Sequence, residues 1–388
     1  MRDGTVGLVA RVDGIAEVVR SGAAASERLG HLAPEVVDAL HDAGLFRMLV
    51  PGEMDGADLT IPEYVEVVER VATLDASTAW TLAILGGGPM LARRLSAGAR
   101  ETIWSDPRGL VCGTLNPATA RAEAVDGGFV FSGRATYLSG SAHSRWVMAS
   151  AIVMRDDAPI VTDGLLEIRA GVFPIERARC LDTWNVAGMC ATGSSDHEFD
   201  AVEVATDWTF EPLRPVSGGA DVFSRIPLWA QLGVGLAAVA VGAARNMIER
   251  FTELASVKVP TGGNFTRLAE RPPAQIAIGE AEGLCQAARA VLMETVRSTW
   301  ARGEAHEPFD NEVLARQRLG VVTGVRLAAQ AIDLLHDAAG MNAVARDSVL
   351  DRCWRDVHTI TQHVILTSAR FENAGRVLLG LDPGSPII

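Results

Sequence analysis

Apolar and polar positions follow three successive rhythms along this chain of 388 residues. From about residue 8 to residue 100 the apolar positions recur every three or four residues, the spacing that gathers one stripe of a helix against a core. The segment "APEVVDALHDAGLFRMLV" shows it, with Gly44 set to close a helix in the left-handed conformation before Leu45 and Phe46. "PEYVEVVERVATLDASTAW" repeats it from Pro62, near a helix start, and puts Val65, Val68 and Ala72 on one side. From about residue 110 to 204 the pattern becomes that of short strands, "GGFVFSGRATYL", "RWVMASAIVM", "AGVFPIERARCL" and "HEFDAVEV", punctuated by Gly and Asp. After Trp208 helical spacing returns and runs to about Leu379, broken at "VPTGGNFTRLAERPP" and "RGEAHEPFDN". Helical, β, helical order without alternating strand–helix units excludes a doubly wound sheet and predicts an α+β protein. The expected parts are residues 1–108, 109–207 and 208–388.

Composition narrows the function classes. At 48% hydrophobic residues the chain can bury a sizeable core. A formal net charge of -13 repels phosphate backbones and anionic lipid, so neither nucleic acid nor a membrane surface is an expected partner. The five cysteines, Cys112, Cys180, Cys190, Cys285 and Cys353, are scattered without a CxxC pair and read as reduced thiols of a cytoplasmic protein. Charges at Asp3, Arg11, Asp13, Glu17 and Arg20 interrupt any signal-like apolar run. The uncharged stretch at residues 227–244, "PLWAQLGVGLAAVAVGAA", approaches membrane-spanning length, yet its Ala, Gly and Val content predicts a helix packed on all sides.

Four segments, in order, resemble the acyl-CoA dehydrogenase superfamily: "LHDAGLFRMLVPGEMDGADLT", "GGFVFSGRATYLSGSAHSRWVMASAI", "DTWNVAGMCATGSSDHEFDAVEV" and "LLHDAAGMNAVARDSVLDRCWRD". Ala57 stands where the first of these signatures has its second glycine. The resemblance implies an N-terminal helical domain, a central β-barrel-like domain, a C-terminal four-helix bundle, a bound flavin and a homotetramer. "SGSAHSRW" and the histidines of "RDVHTITQH" are similar to the two-component flavin monooxygenases, which take reduced FMN or FAD from a separate flavin reductase and use O2 to oxidise a small organic substrate.

The departure from the dehydrogenases is specific. Their closing segment, roughly R-D-A-x-x-x-x-x-Y-E-G-T, carries the glutamate that removes a proton from substrate; counted from Arg355, that place holds Val364, preceded by His363. An alternative position for the base, near Leu232, lies in a run without an acid from Trp229 to Asn246. Dehydrogenation needs a carboxylate in reach of the acidic carbon, and neither place supplies one. His363, on a helix expected to run unbroken from Trp354 to Arg370, is the candidate general base or oxygen-transfer partner, with His143 as a second candidate. His358, five residues before His363, falls about 140° around that helix and cannot share a metal with it, and no metal site is expected. By resemblance, Tyr137, Leu138, Ser139 and Gly140 form one strand along the flavin edge, Thr192, Gly193 and Ser194 the other, Trp146 packs near the ring, and Arg267 meets the flavin phosphates across a subunit contact. Gly262 and Gly263 form no phosphate loop, and no GxGxxG follows a strand, so a resident nicotinamide is not expected. A dehydrogenase or oxidase of the same fold with another base, and a noncatalytic relative, are the alternatives.

Overall fold

The computed structural model describes residues 3–162, 164–212, 214, 221–261 and 266–385. The N-terminal helices are α1 (Asp3–Gly14), α2 (Ala16–Leu29), α3 (Pro34–Asp42), α4 (Ile61–Ala72), α5 (Ala76–Ala92) and α6 (Ala97–Trp104). Gly44 follows α3 with φ +71°, the left-handed turn its position predicts. A reciprocal capping box starts α4: the Thr60 hydroxyl accepts from the Glu63 amide while the Glu63 carboxylate accepts from the Thr60 amide at 2.8 Å. Val65, Val68 and Ala72 then face inward, fully buried.

The strands are β1 (Val111–Thr114), β2 (Ala120–Val125), β3 (Gly128–Ala135), β4 (Trp146–Arg155), β5 (Ala158–Pro159), β6 (Val161–Thr162), β7 (Leu165–Leu166), β8 (Ile168–Pro174), β9 (Arg179–Cys180), β10 (His197–Ala205) and β11 (Thr209–Phe210). The main sheet runs β11-β8-β4-β2-β3-β10-β9, with β1 and β5 also on β4; β6 and β7 pair separately. Pairing is antiparallel except for β1–β4 and β2–β4. Two strands separate β3 from β8 in this order, yet Phe131 and Phe173 on them lie 6.4 Å apart, and Phe173 lies 5.3 Å from Phe199 on β10. The sheet is therefore curled like a barrel around an aromatic core. Its last pairing, β11 on β8, lies beyond residue 207, where the sequence pattern ends the β part.

The C-terminal helices are α7 (Val222–Arg225), α8 (Leu228–Gln231), α9 (Val234–Val257), α10 (Pro272–Glu304), α11 (Asn311–Ala339), α12 (Val349–Ile360) and α13 (Ala369–Leu378). The apolar stretch from residue 227 is divided at Leu232 and Gly233, where φ is +90°, into α8 and α9. Its most apolar window is 83% buried in the fold. On α9, a Cβ at Gly235 would fall 2.2 Å from the Tyr64 hydroxyl, and one at Gly242 2.4 Å from Ala72. These two glycines let α9 press against α4 within one chain, so enlarging Gly235 strikes the N-terminal helices first.

The closing segment differs from the single helix expected over residues 354–370. Helix α12 stops at Ile360, residues 361–368 form turns, and α13 resumes at Ala369. Thr359 and Thr361 turn their hydroxyls back onto the carbonyls of Arg355 (3.0 Å) and His358 (2.7 Å), and the β-branched Thr359-Ile360-Thr361 run weakens helix continuation. His358 and His363 thus share no helix. His358 instead meets Asp333 at 2.8 Å beside the Trp354 ring.

Candidate active site

Two irregular segments meet at Trp80, whose ring also touches the turn that carries His363. The expected flanking strands 137–140 and 192–194 are not laddered strands: Tyr137 has φ +61°, Gly140 +74° and Gly193 +56°. They are tied to each other all the same. The Leu138 amide donates to the Ser195 carbonyl (3.1 Å), the Gly140 amide to the Thr192 carbonyl (2.8 Å), and the Tyr137 amide to Asp196 Oδ1 (3.0 Å). A Cβ on Gly140 would lie 2.8 Å from Leu85, and one on Gly193 3.0 Å from the Gly30 carbonyl, so both positions need glycine for space as well as for φ.

A chain of hydroxyls joins this cradle to the helices. Thr192 Oγ1 bonds to Ser194 Oγ at 2.6 Å, Ser194 to Ser139 at 2.7 Å, and the Trp80 indole of α5 donates to Ser139 Oγ at 3.0 Å. The Trp80 ring then meets the His363 imidazole edge-on, 5.5 Å between centroids. His363, Trp80, Ser139, Ser194 and Thr192 therefore form one connected array.

His363 is half-buried in the turn, and Val364 beside it is 55% exposed. Burial, then the charge of Arg318, push the His363 pKa down to about 4, so the ring is neutral at pH 7. The Ile365 amide donates to its Nδ1 at 3.4 Å, which assigns the remaining ring proton to Nε2. His363 is thus a hydrogen-bond donor through Nε2.

His143 occupies a short 3-10 turn, Ser141–His143, with its amide bonded to the Gly140 carbonyl at 3.0 Å. Its ring stands 5.6 Å from that of His31, which abuts Gly193. Burial, then the charges of His31 and His41, push its pKa down to about 4, and its Nε2 is buried without a partner.

Two expected site residues, Trp146 and Arg267, belong to neither the array nor the cradle. The Trp146 ring stacks on Trp208 at 4.8 Å, in a separate core cluster with Met148 and Phe210. The indoles near the cradle are Trp80 and Trp184, the latter edge-on to Tyr137 at 6.3 Å. Arg267 is exposed and paired with Glu270 at 2.7 Å. Gly262 and Gly263 lie outside the described residues.

Sequence reasoning missed the supports of this site. Asp356 is buried and accepts the Met189 amide, so α12 holds the loop leading to Thr192. Arg352 lies 3.6 Å from Asp75, whose carboxylate also caps α5 through the Thr78 amide at 2.8 Å. Trp80 carried one visible signal, a lone aromatic in a helix rich in Ala, Thr and Gly.

The cradle combines apolar surface with an unpartnered polar atom nearby. Exposed Tyr137 (67%) and Val364 offer apolar surface beside irregular main chain, and His143 Nε2 is a buried polar atom without a partner. Tyr137, Leu138, Ser139, Gly140, Thr192, Gly193 and Ser194 line this cradle.

Comparison with known proteins gives the same frame. Residues 12–101 match the N-terminal domain of acyl-CoA dehydrogenases, and residues 234–368 their C-terminal domain. An indole-3-acetate monooxygenase of Pseudomonas putida is 31% identical, covering 96% of this chain and 93% of its own. The oxygenase component of an FADH(2)-dependent resorcinol hydroxylase of Rhizobium sp. is 27% identical, covering 97% and 95%. Among solved structures, XiaF from Streptomyces sp., in complex with FADH2 and glycerol, superimposes with a TM-score of 0.91 at 23% identity, covering 99% and 98%.

Proposed function

The chain belongs to the flavin-dependent monooxygenases of the acyl-CoA dehydrogenase superfamily, and from that premise we propose that it hydroxylates a small aromatic substrate. It is an oxidoreductase that uses reduced flavin, FMN or FAD, delivered by a separate reductase, with O2 as co-substrate. The observation that carries the reading is the pair at the turn: an apolar Val364 where a dehydrogenase needs its carboxylate, and a neutral His363 beside it.

When bound, reduced flavin supplies the two electrons that activate O2. Nε2–H of His363 donates a hydrogen bond at the cradle face and is held there by the Ile365 amide and the Trp80 edge. Val364 adds an apolar wall and no competing base, which suits a site that must exclude water. His143, with Nε2 unpaired, is the second polar group available to the flavin or the substrate. Arg267 answers flavin phosphate across a subunit contact, in a cytoplasmic homotetramer.

The test runs the protein with a flavin reductase, NADH and air on indole-3-acetate and on indole, with 18O2 as the oxygen source. One labelled oxygen in the product supports the reading. Turnover of an acyl thioester with an electron acceptor and no oxygen would replace it by the dehydrogenase alternative. Light scattering checks the tetramer, which a monodisperse monomer would reject.

A further inference from the structure

Arg318 on α11 is wholly enclosed, yet no carboxylate pairs with it among the described residues. Its Nη2 donates to the Trp229 carbonyl at 2.7 Å, while Nε and Nη1 are buried without partners. Burial, then the charge of Arg370, lower its pKa to about 10, which leaves it fully charged at pH 7. A bare cation in a dry interior is costly, and one carbonyl does not offset that cost.

The unpartnered groups are clustered. The Trp229 indole Nε1 and the Oε1 atoms of Gln231 and Gln317 are also buried without partners, on the residues flanking the Arg318–Trp229 bond. The cluster adjoins the His363 turn: a Cβ on Gly233 would lie 2.6 Å from Ile365 Cγ2 and 3.5 Å from Arg318 Nη1. Glycine at this position, with φ +90°, puts no side chain against that end of the guanidinium. Trp229 also lines a surface cleft of about 370 Å³ whose wall carries Arg94, Arg225 and His306, with Arg214 paired to Glu211 and Glu307 paired to Arg302. Such a wall favours entry of an anion.

We infer that Arg318 receives the carboxylate of an aromatic acid, holding the ring of that substrate toward the His363 turn. The inference rests on the monooxygenase reading and names the substrate class for the same site. A guanidinium matches a carboxylate in shape and charge, and an anion brought by the substrate supplies the missing counter-charge only when the correct molecule is bound. A neutral aromatic of the same size leaves the cation bare, so selection between the two is large.

Indole-3-acetate and uncharged 3-methylindole are the probes, titrated calorimetrically against the full chain with reduced FMN under nitrogen. The parent protein binds the acid at least about 100-fold more tightly. Arg318→Met loses about 100-fold for the acid and keeps its affinity for 3-methylindole, and Arg318→Lys recovers part of the loss. Equal affinities in the parent, or equal losses for both probes in Arg318→Met, overturn the inference. So does failure of Arg318→Met to fold, because an unpaired cation is not required by the structure. If the acid binds through Arg318 but neither probe is oxygenated in air with reductase, the monooxygenase reading falls and the acid site stands. If 3-methylindole is oxygenated with no acid preference in binding, the reverse holds.

Discussion

Two buried arginines face the helical bundle from neighbouring helices, and their surroundings are opposite. Arg352 on α12 lies 3.6 Å from Asp75 and 3.7 Å from Glu27, with Asp356 one helical turn on. Arg318 on α11 has a single carbonyl and two unpartnered nitrogens. The chain answers the first charge itself, and in doing so ties α12 to α5, α2 and the loop at Met189. The second charge is left for something that arrives from outside. A buried cation therefore reads as structural or functional according to who supplies its counter-charge.

The largest expected effect is on the answered side. Arg352→Met removes the cation next to Asp75 and leaves only Arg355 to offset Asp356, and it is expected to cost about 3–5 kcal/mol in urea unfolding, the scale of a broken buried pair. A variant as stable as the parent would erase the distinction between the two arginines. On the open side, His363→Ala keeps the fold but slows product formation by about 100-fold, with NADH still consumed and peroxide released. Normal coupling and rate in that variant would make His363 a packing residue.

A smaller effect is a slope. Burial, then the Asp75 charge, raise the Asp356 pKa from 3.8 to about 7. Between these values the folded chain keeps a proton that the unfolded chain has released, so this group's contribution to stability falls as pH rises through the window. Asp356→Asn removes that fall, and the difference between variant and parent melting curves measured from pH 4 to 7 isolates it. An unchanged difference across the window would mean that Asp356 is already ionised. The smallest effects belong to Arg318→Met. Its unfolding free energy is expected within about 1 kcal/mol of the parent or above it, since no ion pair is lost and only the hydrogen bond to the Trp229 carbonyl goes. The His363 pKa moves upward, because one of the two causes holding it down is gone. NMR titration of the imidazole reads that shift, and no movement would separate Arg318 from the site.

The order of helices and strands was legible because periodicity reports burial, which local pattern expresses directly. Gly44, Pro62 and the inward face of α4 followed from it. The break after Ile360 was not, because it depends on threonine hydroxyls choosing backbone carbonyls, a competition that apolar spacing does not record. His363 and the cradle segments were reached through resemblance to a family motif, whereas Trp80 and Asp356 join the site only by long-range contacts. Trp146 sits at its motif place but turns its ring to Trp208. Arg318 had no signal at all: an arginine on an amphipathic helix reads as solvated until its burial is seen.

The turn after α12 has a consequence for how such a protein changes over generations. Ile365 and Leu366 anchor it in the core, while Val364 is exposed and His363, the proposed hydrogen-bond donor, is only partly enclosed. A substitution at exposed Val364 is nearly free of structural penalty and one at His363 gives up a single amide contact and one ring edge, so a lineage can trade a carboxylate for a valine, or acquire an imidazole, without first repairing its fold. The connector is thus a site of high evolvability on a conservative skeleton, and new reactions within the fold are reachable by single steps there.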